Sequence, residues 1–252
     1  MIKRAIKQLI KRLGYNAVRQ EPPPPFPVDF DQGAIDIVAA VRPHTMRSDE
    51  RIFALIQAVR YLAKSRVEGA IVECGVWRGG SMMAVAHTLA WLGRRDVDLY
   101  LFDTYEGMTK PTETDLDYRG TPAAPEFVRT QRGADASDWC RAPFEEVEAN
   151  LFATGYPRER IKLIKRKVEE TIPGQAPDKI SLLRLDTDWY ESTKHELLHL
   201  YPRLSNSGVL IIDDYGHWRG SRKATDQYFA NSGMTPILLN RIDYTGRIGV
   251  KT

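Results

Sequence analysis

Apolar and polar positions along the chain change period several times. Over residues 1–13, Ile2, Ile6, Leu9, Ile10 and Leu13 recur at the spacing of one helix face, while Lys3, Arg4, Lys7, Lys11 and Arg12 cover the rest. Gly14 supplies a helix stop, and prolines 22–25 form a stiff extended linker. A second helical period, Ile52, Leu55, Ile56, Val59 and Leu62, follows Ser48-Asp49-Glu50, whose acids suit the positive end of a helix dipole. Short apolar runs of strand length then appear at Ala70–Cys74, Leu99–Asp103, 161–164, Ile180–Leu185 and 209–212. A helix capped by Ser81 is predicted after the first run, ending near Leu92, and another over about 192–200 between the last two. Residues 236–242 and 247–250, joined around Thr245-Gly246, predict an antiparallel hairpin.

Strands alternating with helices predict an α/β fold, a mostly parallel sheet with helices on both faces, and the closing hairpin makes the sheet mixed. There is no internal repeat. Residues 1–27 are thus an appendage and 28–252 one domain, in which 105–156 is too long for an ordinary connection. The basic helix is expected to pack on the body or on a second copy. Contact with an anionic membrane surface is the other reading, and it normally needs a second signal.

Composition narrows the class. No apolar run approaches the roughly 18–20 residues that cross a bilayer. Lys and Arg total 36 against 33 Asp and Glu, a net charge of +3 that does not indicate a nucleic-acid binder. Two cysteines, Cys74 and Cys140, form neither a disulfide framework nor a four-thiolate site and read as cytosolic thiols. The first apolar positions, broken by lysines and arginines, do not resemble a secretory signal.

The chemistry is expected at the carboxyl ends of the strands, where such sheets bind ligands. Those ends read Glu73-Cys74-Gly75, Asp103-Thr104, Asp186-Thr187-Asp188 and Asp213-Asp214, and each carries an acid. The turn through Gly75, Arg78, Gly79 and Gly80 into Ser81 would let a ligand approach backbone N–H groups at a helix start, although it lacks the dinucleotide spacing G-x-G-x-x-G. Asp103, at the end of the next strand, is placed to accept both hydroxyls of a ribose, with no Arg or Lys beside it to receive a 2′-phosphate. Asp186, Asp213 and Asp214 would repel one another unless something positive lay between them, and hard oxygen ligands suit Mg²⁺, Mn²⁺ or Ca²⁺. Aspartates at strand ends also cap helices or turns, and Asp188, beside Trp189, reads that way.

One motif is set aside. His195-Glu196-Leu197-Leu198-His199 matches the H-E-x-x-H pattern of zinc peptidases, but Pro202 and Ser205 stand where the extended form would place its continuation. No glutamate follows Glu196 to supply the third ligand of the other branch. The segment fits a crossover helix.

Taken together, Val72-Glu73-Cys74-Gly75-Val76-Trp77-Arg78-Gly79-Gly80-Ser81, Phe102-Asp103-Thr104-Tyr105-Glu106-Gly107, Leu185-Asp186-Thr187-Asp188 and Ile211-Ile212-Asp213-Asp214-Tyr215 resemble the macrocin/mycinamicin-type sugar O-methyltransferase family. Pro43-His44-Thr45-Met46 and Ser221-Arg222-Lys223-Ala224 extend the resemblance over about residues 40–250, leaving out the basic helix. It implies a Rossmann-like class I methyltransferase with a seven-stranded mixed sheet, dependent on S-adenosyl-L-methionine and Mg²⁺, acting on a sugar hydroxyl. By that resemblance Glu73, Gly75 and the following turn cradle the cofactor, Asp103 and Thr104 hold the ribose end, and Thr45 and Met46 close over the methionine end. Asp186, Asp213 and Asp214 are the implied metal ligands. Asp186 lies between the two halves and is the expected proton acceptor. His217 is a second candidate that reads equally as a loop histidine beside Trp218. Residues 105–156 are the expected substrate lid, and a cytoplasmic homo-oligomer is expected. A catechol-type enzyme acting on a phenol would usually carry Asp-Asn at 213–214; a nicotinamide dehydrogenase would need the missing glycine spacing; a non-catalytic binding protein of the same fold would not need these acids.

Overall fold

The structure, a computed structural model, describes residues 26–231, 233 and 237–252. The basic helix expected over 1–13, the linker at 22–25 and the first residue of the expected hairpin lie outside the described residues. The chain divides into a short unit, Met1–Asp31, and a body, Gln32–Thr252. In the first, the Phe26 and Phe30 rings are tilted together with centroids 6.3 Å apart.

The body opens with helices α1 (Gln32–Val41) and α2 (Asp49–Ser65). Ser48 caps α2, its side chain accepting from the Arg51 N–H at 3.3 Å. Strand β1 (Ala70–Cys74) and helix α3 (Gly80–Trp91) follow, then β2 (Leu99–Asp103). The cap of α3 differs from expectation. Gly79, at φ 87°, stands at the cap position without a side-chain bond, and Ser81 is buried inside the first turn. An insertion carries α4 (Ala124–Thr130), a small hairpin of β3 (Gln131–Gly133) and β4 (Ala136–Ser137), and α5 (Phe144–Ala153). The chain resumes with β5 (Ile161–Lys165), the single turn α6 (Val168–Thr171), β6 (Ile180–Leu185), α7 (Tyr190–Leu200) and β7 (Leu204–Ile212). It closes with α8 (Arg219–Asn231) and the short antiparallel pair β8 (Asn240–Arg241) and β9 (Arg247–Val250).

The sheet has seven strands in the order β5-β2-β1-β6-β7-β9-β8, parallel except where β9 pairs with β7 and with β8. The central strands β1 and β6 are buried along their whole length, which is why they read as apolar runs broken only by Glu73, Ser181 and Arg184. Strand order runs outward from β1 through β2 to β5 on one side, and through β6 and β7 on the other. The switch point therefore lies between β1 and β6, where an open α/β sheet leaves its ligand crevice. No helix among the described residues is long and apolar enough to cross a membrane.

Candidate active site

Register brings the acids together. Cys74 pairs with Phe102 and Leu185, and Leu185 pairs with Ile212, so the next residues, Gly75, Asp103, Asp186 and Asp213, form one row across four strand tips. Backbone bonds continue the row: the Gly75 N–H donates to Phe102 at 2.9 Å, that of Asp186 to Cys74 at 2.8 Å, and that of Asp213 to Leu185 at 2.9 Å. Gly75 is required at the switch point. A Cβ there would stand 2.1 Å from the Asp186 carbonyl oxygen, and its φ of 83° strains any side chain.

Two residues back on the same face lie Glu73 and Arg184, paired in register. Arg184 is 3% exposed and works as a buried hub. Its Nη1 reaches Glu73 Oε1 at 2.5 Å and Asp186 Oδ2 at 2.8 Å, and its Nη2 reaches Asp213 Oδ1 at 2.6 Å. Arg51 Nη1 and Arg47 Nε take the other oxygen of Asp213 at 2.5 and 2.9 Å. Burial works against the Asp213 charge, yet Arg184, Arg47 and Arg51 together hold its pKa below the usual carboxylate range. Glu73 is different: burial outweighs Arg184 and pushes it up to about 8.

The set of carboxylates that can share an ion is therefore not the expected one. Oxygens of Asp186, Asp188 and Asp214 lie within 4.8 Å of one another, whereas Asp213 is committed to three guanidinium groups. Asp188, at φ 68°, caps nothing at the start of α7. The Tyr190 N–H there donates instead to Asp115 Oδ1 at 2.8 Å, and Asp188 turns toward Asp214. Burial raises Asp214 well above the ordinary carboxylate range, the neighbouring Asp188 adds to the rise, and its Oδ2 is buried without a hydrogen-bond partner. Three converging carboxylates, one with an orphaned buried oxygen, match the donor set a hard divalent cation takes.

Beside this cluster opens a cavity of about 340 Å³. Met46, Gly75, Asp103, Thr104, Asp186, Asp214 and His217 line it, as the sequence suggests. Asp103 organises its far end. One oxygen accepts from the Val76 and Trp77 N–H groups at 2.6 and 3.2 Å, the other from the Tyr105 N–H at 2.7 Å. Trp77 sits at φ 48°, a conformation that costs a bulky residue on the order of 1–3 kcal/mol and is held by that carboxylate.

Several expected cofactor contacts stand elsewhere. Glu73 lies beneath the cavity on Arg184. Arg78 turns outward to Glu146 at 2.5 Å and the Pro43 carbonyl at 2.9 Å. A Cβ on Gly80 would stand 2.4 Å from the His44 carbonyl oxygen, so this glycine admits the protein's own backbone. The Gly79 position faces Val147 and Leu151 of α5, Ser81 is buried, and Thr45 accepts from the Arg47 N–H at 3.1 Å.

The insertion forms one wall. Trp139, from the insertion, meets Trp189 and Trp218 edge to face at 5.7 and 6.0 Å. The Trp189 indole donates to the Thr109 carbonyl at 3.1 Å, and the Arg219 N–H donates to Leu116 at 2.8 Å. Trp139, Trp218, Met108 and Tyr244 add apolar surface to the cavity lining. Burial lowers the pKa of His217, whose Nδ1 lies 3.5 Å from the Tyr244 hydroxyl. In α7, the His195 and His199 rings meet at a tilt with centroids 4.4 Å apart while Glu196 is buried against Thr187, a packing role for that motif.

Sequence reasoning missed Arg47, Arg51, Arg184 and Asp188. Arg184 had a signal, a lone charge inside an apolar strand, which must meet opposite charge when buried.

With this geometry in place, similarity to known proteins becomes informative. The family model Macrocin-O-methyltransferase (TylF) matches residues 31–248. The 8-demethyl-8-(2,3-dimethoxy-alpha-L-rhamnosyl)-tetracenomycin-C 4'-O-methyltransferase of Streptomyces olivaceus is 32% identical over 203 residues, 81% of this chain and 74% of that protein. Mycinamicin III 3''-O-methyltransferase of Micromonospora griseorubida is 30% identical over 172 residues, 68% of this chain and 65% of its own length. The solved structure of the O-methyltransferase NovP superposes with a TM-score of 0.71 at 27% identity, covering 83% of this chain and 82% of that one. A match across almost the whole body, on a seven-stranded sheet with its acids at the switch point, makes this chain an O-methyltransferase of the macrocin-O-methyltransferase (TylF) family.

Proposed function

We propose that the protein methylates a hydroxyl of a glycoside, taking the methyl group from S-adenosyl-L-methionine and using a divalent cation, Mg²⁺ by charge and donor type. The observation that carries this reading is the cluster of Asp186, Asp188 and Asp214 lining the same cavity as Asp103 and Gly75. The relatives' own acceptors support the sugar: one is named for 4'-O-methylation of a rhamnosyl compound and another for the 3''-O position of mycinamicin III.

S-adenosyl-L-methionine supplies a methyl carbon on a sulfonium, open to in-line displacement, so much of the rate is a matter of positioning. A divalent cation lowers the pKa of the hydroxyls it touches. Asp103 and Thr104 would face the ribose, with Met46 at the methionine end. Asp186 and Asp214 would hold the cation. Asp188 accepts the hydroxyl proton as the oxygen–carbon bond forms and the sulfur–carbon bond breaks. It takes that place in preference to Asp186 because Asp186 Oδ2 is bonded to Arg184 and its other oxygen would be spent on the cation. Trp139, Trp218 and Tyr244 offer flat apolar faces to the C–H side of a sugar ring, while the acids take its hydroxyls.

A cytoplasmic homo-oligomer belongs to the same reading. The test is incubation with methyl-labelled donor and Mg²⁺ over a panel of deoxysugar glycosides, free sugars and phenols. Label is expected on a sugar oxygen of a glycoside. Label only on phenols would move the chain to catechol-type chemistry.

A further inference from the structure

We propose that Arg47 is a built-in counter-cation on Asp186 that a divalent ion must displace, so that this one arginine sets how tightly the protein holds metal. The inference rests on the metal-assisted reading above and concerns a residue that reading does not require.

Arg47 stands on the short segment between the turn Arg42–His44 and α2, where its N–H is fixed to Thr45 Oγ1 at 3.1 Å. Its Nη2 lies 2.5 Å from Asp186 Oδ1, and its Nε lies 2.9 Å from Asp213 Oδ2. The second contact is redundant for Asp213, which already has Arg184 at 2.6 Å and Arg51 at 2.5 Å. Asp186 Oδ2 is likewise held by Arg184 at 2.8 Å. What Arg47 alone adds is a positive charge over Asp186 Oδ1, the oxygen that Arg184 leaves to the cavity. Arg47 lines that cavity; Arg184 lies beneath it.

A cation approaching Asp186, Asp188 and Asp214 therefore meets an oxygen already bonded and a like charge beside it. Both effects oppose metal binding, and both end when the Nη2 contact opens. The Nε contact to Asp213 gives the guanidinium a place to stay as it swings away. An arginine that merely aligned Asp186 would act in the opposite direction, because its loss would loosen a ligand.

The sign of the effect separates the two roles. Mn²⁺ is titrated into the full chain without donor or acceptor, and free Mn²⁺ is read by electron paramagnetic resonance for wild type, Arg47→Gln and Arg47→Met, with thermal unfolding recorded for each. The expected result is Mn²⁺ binding at least tenfold tighter in the folded variants than in wild type. Equal or weaker binding in both variants overturns the proposal while leaving the metal-assisted reading intact. No Mn²⁺ binding by any of the three proteins overturns both.

Discussion

Arg184→Met is expected to cost the fold about 3–5 kcal/mol, the loss typical of breaking a buried ion pair and leaving its partners uncompensated. The arginine is 3% exposed and is the common partner of Glu73, Asp186 and Asp213. Methionine fills much of the volume, so the loss reports charge and not a cavity. Chemical unfolding monitored by circular dichroism measures it. Glu73→Gln is the control. Below pH 4.5, where Glu73 is protonated folded and unfolded, the amide should change stability by about 1 kcal/mol or less. The sign of its pH dependence follows. The folded value lies above the ordinary 4.5, so the Glu73 contribution is full below 4.5 and is lost as pH rises through about 8. Glu73→Gln should flatten that decline. An Arg184→Met protein as stable as wild type would show that the three carboxylates do not depend on this hub.

Asp188→Asn should lower the turnover of methyl transfer by about 10²–10⁴-fold, the range lost when a positioned acid–base group is removed. Affinity for the product cofactor, S-adenosylhomocysteine, should change little, because Asp103 sits at the tip of β2, two strands away from the tip of β6 that Asp188 follows. Steady-state kinetics with saturating donor, together with calorimetry, separate the two. His217→Asn is the comparison. His217 faces the same cavity but lies in the aromatic wall, ringed by Tyr118, Trp218 and Tyr244, and its loss should cost tenfold or less. A larger loss at His217 than at Asp188 would exchange their roles. Asp213→Ala, by contrast, should act on stability as Arg184→Met does, since its oxygens are spent on guanidinium groups.

Much of the scaffold was legible because central parallel strands announce themselves as apolar runs. Ala70–Cys74, Leu99–Asp103, Ile180–Leu185 and Arg247–Val250 begin and end where their patterns do. The two ends of the edge pair were less visible: β8 holds only Asn240–Arg241, too short for alternation to register. Helix α8 escaped notice because its sequence, RGSRKATDQYFAN, is mostly polar and offers few apolar positions to mark a face. The row of acidic tips followed from strand ends plus topology. Which oxygen faces which partner did not, since that depends on backbone beyond the strands. Asp188 turns to Asp214 through a left-handed φ, and Arg47 reaches Asp186 across 139 residues of sequence. The sequence also did not show that Gly75 and Gly80 make room for the Asp186 and His44 carbonyls, contacts made by distant backbone.

The most direct measurement is methyl transfer by the wild-type protein after exhaustive chelation, followed by return of Mg²⁺. Three carboxylates gathered beside the donor should make the reaction depend on a cation, so turnover should fall by at least about 100-fold, roughly 2.7 kcal/mol of barrier, and recover with Mg²⁺. Undiminished transfer in the chelated protein would contradict the assignment of Asp186 and Asp214 to a metal site.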